Sequence, residues 1–109
     1  MTKVRIKKTQ RRIAVRRDKS GVPHIDGATW LDVLYGLGYM HALDRGTQLL
    51  FSRAVAAGRG AERIADQPEL LETDRFFRRI GLHQHLNREV QSLKDPIFKQ
   101  ITSYCEGVN

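Results

Sequence analysis

Any chemistry in this chain has to come from four histidines, one cysteine and a scatter of hydroxyls. His24 lies in the stretch GVPHI. His41 precedes Asp44 by three positions in HALD, and Thr47 and Ser52 follow close behind. On a helix, a carboxylate three residues from an imidazole can orient the ring, which is half of a nucleophile-activating triad. Neither hydroxyl has the sharp strand-to-helix sequence of a nucleophile elbow, so the residues favour a buried structural polar cluster with an ion pair through Asp44 or Arg45 over direct catalysis.

Metal chemistry finds less support. Zinc needs convergent His, Cys or carboxylate ligands. His83 and His85 are two apart and project from different faces of a helix, while Cys105 has no partner thiol. The glycine pairs Gly36–Gly38 and Gly58–Gly60 lack the strand-loop-helix context of a phosphate cradle. Thr2 would become an N-terminal hydroxyl residue if Met1 were removed, and such a group can be a nucleophile. The surrounding TKVRIKK supplies none of the partners it would need. No residue is therefore assigned as catalytic, cofactor-binding or metal-binding.

The elements that position these residues begin with a charge asymmetry. The formal net charge is +7, and residues 1–19 hold nine Lys or Arg against one acid. The rest of the chain is close to neutral. A basic arm of this kind can steer toward nucleic acid or an anionic surface. No aromatic platform or recognition motif accompanies it, so a solvated arm or an outward-facing strand over residues 1–12 is favoured. Val4 and Ile6 alternate with charged residues as a strand would. The lone cysteine rules out an internal disulfide. No apolar signal core or membrane-length segment occurs in these residues, and the compartment is left open.

Residues 11–17 and 22–26 read as two short strands of a hairpin, joined by turn chemistry in DKSG, with Pro23 favouring extended backbone at Val22. Thr29 and Asp32 form a capping-box pattern that predicts a helix from Trp30, with Trp30, Leu34, Leu37, Met40 and His41 on or near one face. This helix is expected to run to Gly58. Gly36, Gly38 and Gly46 interrupt it, which predicts breaks or places where another backbone comes very close. A connector with a helical turn leads to Pro68, which opens a helix over 69–80. A second amphipathic segment through Leu82, Leu86, Val90 and Leu93 follows without requiring a full break. Asp95 and Pro96 are read as cap and first residue of a last helix, with Gly107 as its C-terminal cap candidate.

The ordered series VRRDKSGVPHIDGATWLDVLYGLGYMHALDRGTQLLFSRAVAAGRGAE, then LETDRFFRRIGL and YCEGVN, resembles the opening of the penicillin acylase family. The likeness covers roughly residues 13–109. It implies an α+β fragment, a short N-terminal β-hairpin followed by several helices, forming part of a larger αββα Ntn-hydrolase fold. Residues 13–109 would be the N-terminal portion of an alpha chain and an incomplete domain. The nucleophile in that family begins a separate catalytic beta chain, so the resemblance places no catalytic residue on this segment. The implied partners are the rest of the alpha chain, the beta chain and an N-acyl small-molecule substrate. The implied cofactor is none in this segment, with calcium admitted for the full enzyme.

The resemblance also implies a role in fold support for Gly21–Ile25, His24 included, and for Gly36, Gly38, Tyr39, Asp44 and Arg45. The rival reading from the residues alone is a stand-alone helical binding module whose basic arm meets nucleic acid or anionic surfaces.

Overall fold

The computed structural model describes residues 4–5 and 12–109. The chain divides into two compact units. One holds the residues up to Arg45 together with Lys94–Asn109, and the other holds Gly46–Leu93. Most of the basic arm, and Thr2 with it, lies outside the described residues.

In the first unit, β1 (Val4–Arg5), β2 (Ile13–Arg17) and β3 (Pro23–Gly27) form an antiparallel sheet in the order β1-β2-β3. The expected hairpin is present, with Val15 opposite Ile25 and Arg17 opposite Pro23. Strand alternation explains its sidedness. Ile13 and Val15 are buried, whereas Arg16 between them and the turn faces solvent. The turn itself is built by Asp18, whose Oδ1 accepts the backbone N–H groups of Ser20 and Val22 at 2.9 and 3.0 Å. Gly21 adopts φ 81°, a left-handed conformation that glycine enters without steric cost.

Helix α1 (Trp30–Ala56) starts where the capping box predicts. The Asp32 N–H donates to Thr29 Oγ1, and the Thr29 N–H donates back to Asp32 Oδ2 at 3.1 Å. Its inward face differs from the expected one. Tyr35 and Met40 are buried with Ile13 and Val15, and Ile25 and Tyr39 pack against them, but Trp30 is 61% exposed and His41 is also at the surface. The reason lies with Gly36: a Cβ there would come within 2.7 Å of Ile25 Cγ2 and 3.1 Å of Ile13 Cγ2. The helix settles on the hairpin at this point, which turns Tyr35 and Met40 inward. The helical geometry fails at Arg45 (φ −135°, ψ 25°), at the boundary of the unit.

The C-terminal segment of the first unit is the helix over Asp95–Val108, numbered α5 because four helices precede it in the chain. Lys94, extended at φ −64° and ψ 146°, is its N-cap, and Asp95 stands in the first turn beside Pro96. This corrects the expected cap at Asp95: its carboxylate makes no capping bond and instead lies in the first turn, where the helix dipole favours negative charge. Helix α5 meets α1 backbone to backbone. A Cβ on Gly38 would run into the carbonyl oxygen of Tyr104, and one on Gly107 into that of Tyr35. The Ser103 hydroxyl donates to the Leu31 carbonyl at 2.6 Å on one side of the crossing. So Gly107 works at this contact inside the helix, and the helix reaches Val108 before it ends.

The second unit contains the remainder of α1, then α2 (Gly60–Arg63), α3 (Pro68–Ile80) and α4 (Leu82–Ser92). Helix α1 stops at Ala56, two residues before Gly58, in a Schellman arrangement. The Arg59 N–H bonds the Ala54 carbonyl, the Gly58 N–H bonds that of Val55, and Gly58 takes φ 66°. The helical turn expected in the connector is α2. Pro68 opens α3 as expected. Gly81, at φ 73°, makes a full break between α3 and α4 where a continuous run was allowed, because a left-handed residue cannot propagate the helix.

Candidate functional site

The polar side chains of the first unit gather around the hairpin turn. The Arg17 guanidinium donates from Nη2 to Asp44 Oδ1 at 2.5 Å and from Nη1 to the Gly21 carbonyl at 2.8 Å. One planar fork thereby ties the turn to α1. His24 Nε2 lies 3.2 Å from Asp18 Oδ2, so Asp18 serves the turn with one oxygen and the histidine with the other. Arg16 pairs with Asp26 at 3.1 Å on the outer face of the sheet. Arg16, Arg17, Asp18 and His24 line an open depression of about 230 Å³.

The electrostatics follow from these contacts. The hydrogen bond from Arg17 holds the Asp44 carboxyl below the ordinary aspartate range, with the charges of Arg17, Arg45 and His41 adding to it. The same bond raises Arg17 above the ordinary guanidinium value. Asp18 is lowered chiefly by its bond to His24 and then by the Val22 N–H. Arg16 and Arg17 therefore each have an internal anion, and the described residues that line the depression include no hydroxyl or thiol. Its chemistry is to fix the turn against the helix.

The expected imidazole–carboxylate pair is not formed. His41 Nδ1 stands 2.9 Å from the Tyr104 hydroxyl, the rings edge to face at 5.8 Å, while Asp44 is engaged by Arg17. The fork of Arg17 holds the carboxylate through a charge-assisted bond. The ion pair expected through Asp44 or Arg45 is made by Asp44, at the half-exposed surface. Thr47 and Ser52 belong to the second unit and are exposed. His83 and His85 are exposed on α4, and Cys105 is exposed on α5 as a free thiol. Among the described residues no group of three or more His, Cys, Asp or Glu side chains could hold a metal. Among the described residues no helix is long and apolar enough to cross a membrane.

The second unit has its own polar centre, which the sequence reading missed. Asp74 on α3 is only 5% exposed. Its Oδ1 accepts the Gly60 N–H at 2.7 Å and its Oδ2 the Ala61 N–H at 2.9 Å, so one carboxylate closes the start of α2. Arg78 donates from Nε to the Gly58 carbonyl at 2.8 Å. The available signal was an acid at position 74, four residues after Leu70 and three before Phe77, on the inward stripe of an amphipathic helix.

All of these arrangements support backbone geometry. Residues 12–109 match the family model described as penicillin amidase. The chain is 36% identical over 104 residues to acyl-homoserine lactone acylase QuiP of Pseudomonas aeruginosa, covering 95% of this chain and 12% of that protein. It is 34% identical over 97 residues to penicillin acylase 2 proenzyme of Pseudomonas sp. strain SE83, covering 89% of this chain and 12% of the relative. The chain thus spans about one eighth of the length of the curated relatives it matches. In three dimensions it superposes on a thermostable penicillin G acylase from Alcaligenes faecalis with a TM-score of 0.79 at 25% identity, over 93% of this chain and 53% of that one. The hairpin followed by helices is accordingly a part of the Ntn-hydrolase architecture of the acylases. From its sequence and its fold, the chain belongs to the penicillin amidase family.

Proposed function

We propose that these residues are the N-terminal scaffold of an N-acyl amide hydrolase whose catalytic groups lie on a further part of the polypeptide. The observation that carries this reading is 34–36% identity to acylases across 89–95% of the chain. The network around Arg17, Asp18, His24 and Asp44 supports it, since each group is spent on holding a turn and a helix. In this reading residues 13–109 are the opening portion of an alpha chain, and the remainder of that chain and a beta chain complete the enzyme. The substrate is an N-acyl compound such as a penicillin or an acyl-homoserine lactone, the classes named for the relatives.

The reaction is acyl transfer to an N-terminal nucleophile. The hydroxyl adds to the amide carbonyl, its own α-amine takes the proton, and the C–N bond breaks as that proton passes to the leaving amine. Water then hydrolyses the acyl-enzyme, and fixed hydrogen-bond donors stabilise both tetrahedral oxyanions. This segment contributes the rigid support on which those donors depend. The test is hydrolysis of a chromogenic N-acyl anilide by the full-length polypeptide carrying this segment and by residues 1–109 alone. Activity confined to the full-length polypeptide is expected. Turnover by residues 1–109 alone, or an inactive full-length polypeptide that binds DNA with steep salt dependence, would overturn the reading in favour of direct catalysis or the binding module.

A further inference from the structure

Helix α4 is short, amphipathic and only partly covered. It runs for 11 residues and buries none of them. Leu82 and Leu86 are 51% and 46% exposed, and Val90 is half-buried. These three recur every four residues and share one face, flanked by His83 on one side and Glu89 on the other. An isolated helix of this length is marginal in water, and helices in proteins are held chiefly by packing of the apolar face. Here the face that should supply the packing is only partly covered by the described residues.

From this we propose that the Leu82–Leu86–Val90 face is the docking seat for a later segment of the same acylase polypeptide, an apolar helix or strand face that packs on it intramolecularly. The proposal rests on the function proposed above. Two observations choose this occupant over a second copy. The curated relatives are about eight times as long as this chain, so the polypeptide available for cover is large. The area argues the same way: burying each aliphatic side chain removes roughly 60–120 Å² from water, or about 200–350 Å² for the three. A stable interface between separate molecules needs about 800 Å² per partner. A segment of the same chain arrives at high effective concentration and can dock on far less.

The experiment uses the full-length polypeptide with Cys105→Ser, bearing either Leu86→Cys or, as a control on the polar face, Arg88→Cys. Maleimide labelling at each site is followed by peptide mass spectrometry, native and in urea. The expected result is labelling of Leu86→Cys about 50-fold slower than Arg88→Cys in the native protein, equal rates in urea, and no dependence on protein concentration. Equal native rates would overturn the proposal, as would protection that disappears on dilution, since a second copy would then be the occupant. Hydrogen exchange of the α4 amides in the unsubstituted full-length polypeptide gives a readout free of substitution. Protection persisting on dilution supports docking, and exchange at the rate of an unprotected peptide refutes it. Hydrolysis is measured on the same preparations. An active enzyme that labels rapidly at position 86 sinks the docking proposal alone, and a protected but inactive protein sinks the functional reading alone.

Discussion

Replacing Asp74 by alanine removes a carboxylate that closes two backbone N–H groups at once. Both bonds are charge-assisted and short, at 2.7 Å to Gly60 and 2.9 Å to Ala61. Gly60 is buried, so its N–H loses its acceptor without gaining water, while Ala61 is half-buried and is partly rehydrated. An unsatisfied buried donor costs about 1–3 kcal/mol, and the second contributes a fraction of that, so Asp74→Ala should lower stability by about 2–4 kcal/mol. Asp74→Asn retains one acceptor and turns an amide N–H₂ toward the other donor, which should cost about half as much. Urea unfolding gives the free energies, and hydrogen exchange at Gly60 and Ala61 localises them. A loss of 2–4 kcal/mol corresponds to exchange roughly 30- to 700-fold faster. Asp74→Ala unfolding within about 0.5 kcal/mol of the parent, with those two amides still protected, would refute the reasoning.

Three further outcomes are expected. Gly38→Ala and Gly107→Ala should each destabilise by about 1–3 kcal/mol or more, because the added methyl meets a carbonyl oxygen that no rotamer change can move. Gly46→Ala, with nothing within 4 Å of its Cβ position, should be neutral or stabilise by about 0.5–1 kcal/mol. Equal melting temperatures for the Gly38 and Gly46 variants would contradict the backbone contact. Because the folded-state carboxyls of Asp44 and Asp18 are lowered, their contribution is fully present above the unfolded aspartate value of about 3.9 and is lost as pH falls through the lower folded values. Thermal melts of the parent should therefore fall modestly below about pH 4, and Arg17→Gln should flatten that dependence. His24→Ala should reduce the yield or stability of the full-length enzyme and leave kcat nearly unchanged. A normally folded variant with kcat down about 100-fold would give His24 a chemical role.

Local rules were enough to read much of this chain, and the exceptions share one cause. The Thr29–Asp32 box, Pro68 and the strand alternation at Ile13 and Val15 act within a few residues, so their consequences are written beside them. Gly36 and Gly38 were legible as places of close approach by another backbone, but only Gly38 meets one, that of Tyr104, whereas Gly36 meets the side chains of Ile25 and Ile13. That distant contact is why Tyr35 and Met40, and not Trp30, take the inward face. His41 and Asp44 lie three apart and suggest each other, yet each has a stronger partner elsewhere, Tyr104 and Arg17, at separations of 63 and 27 residues. Asp74 was missed because its ligands are backbone N–H groups, which no side-chain pattern announces.

The crossing of Gly38 with Gly107 also bears on how the chain comes off the ribosome. The first unit is discontinuous: the residues up to Arg45 emerge early, but the helix that completes them, Asp95–Val108, is made only after the whole Gly46–Leu93 unit. Contacts of such separation carry a loop-closure cost and form late. Until Gly107 clears the exit tunnel, the Tyr35 and Gly38 surface of the first helix stands open on a nascent chain, whereas the Asp74 bonds to Gly60 and Ala61 form entirely within the Gly46–Leu93 stretch. Within these residues the hairpin and the first turns of the long helix are made well before the helix that packs on them, and a chaperone acting on this polypeptide would find its substrate there.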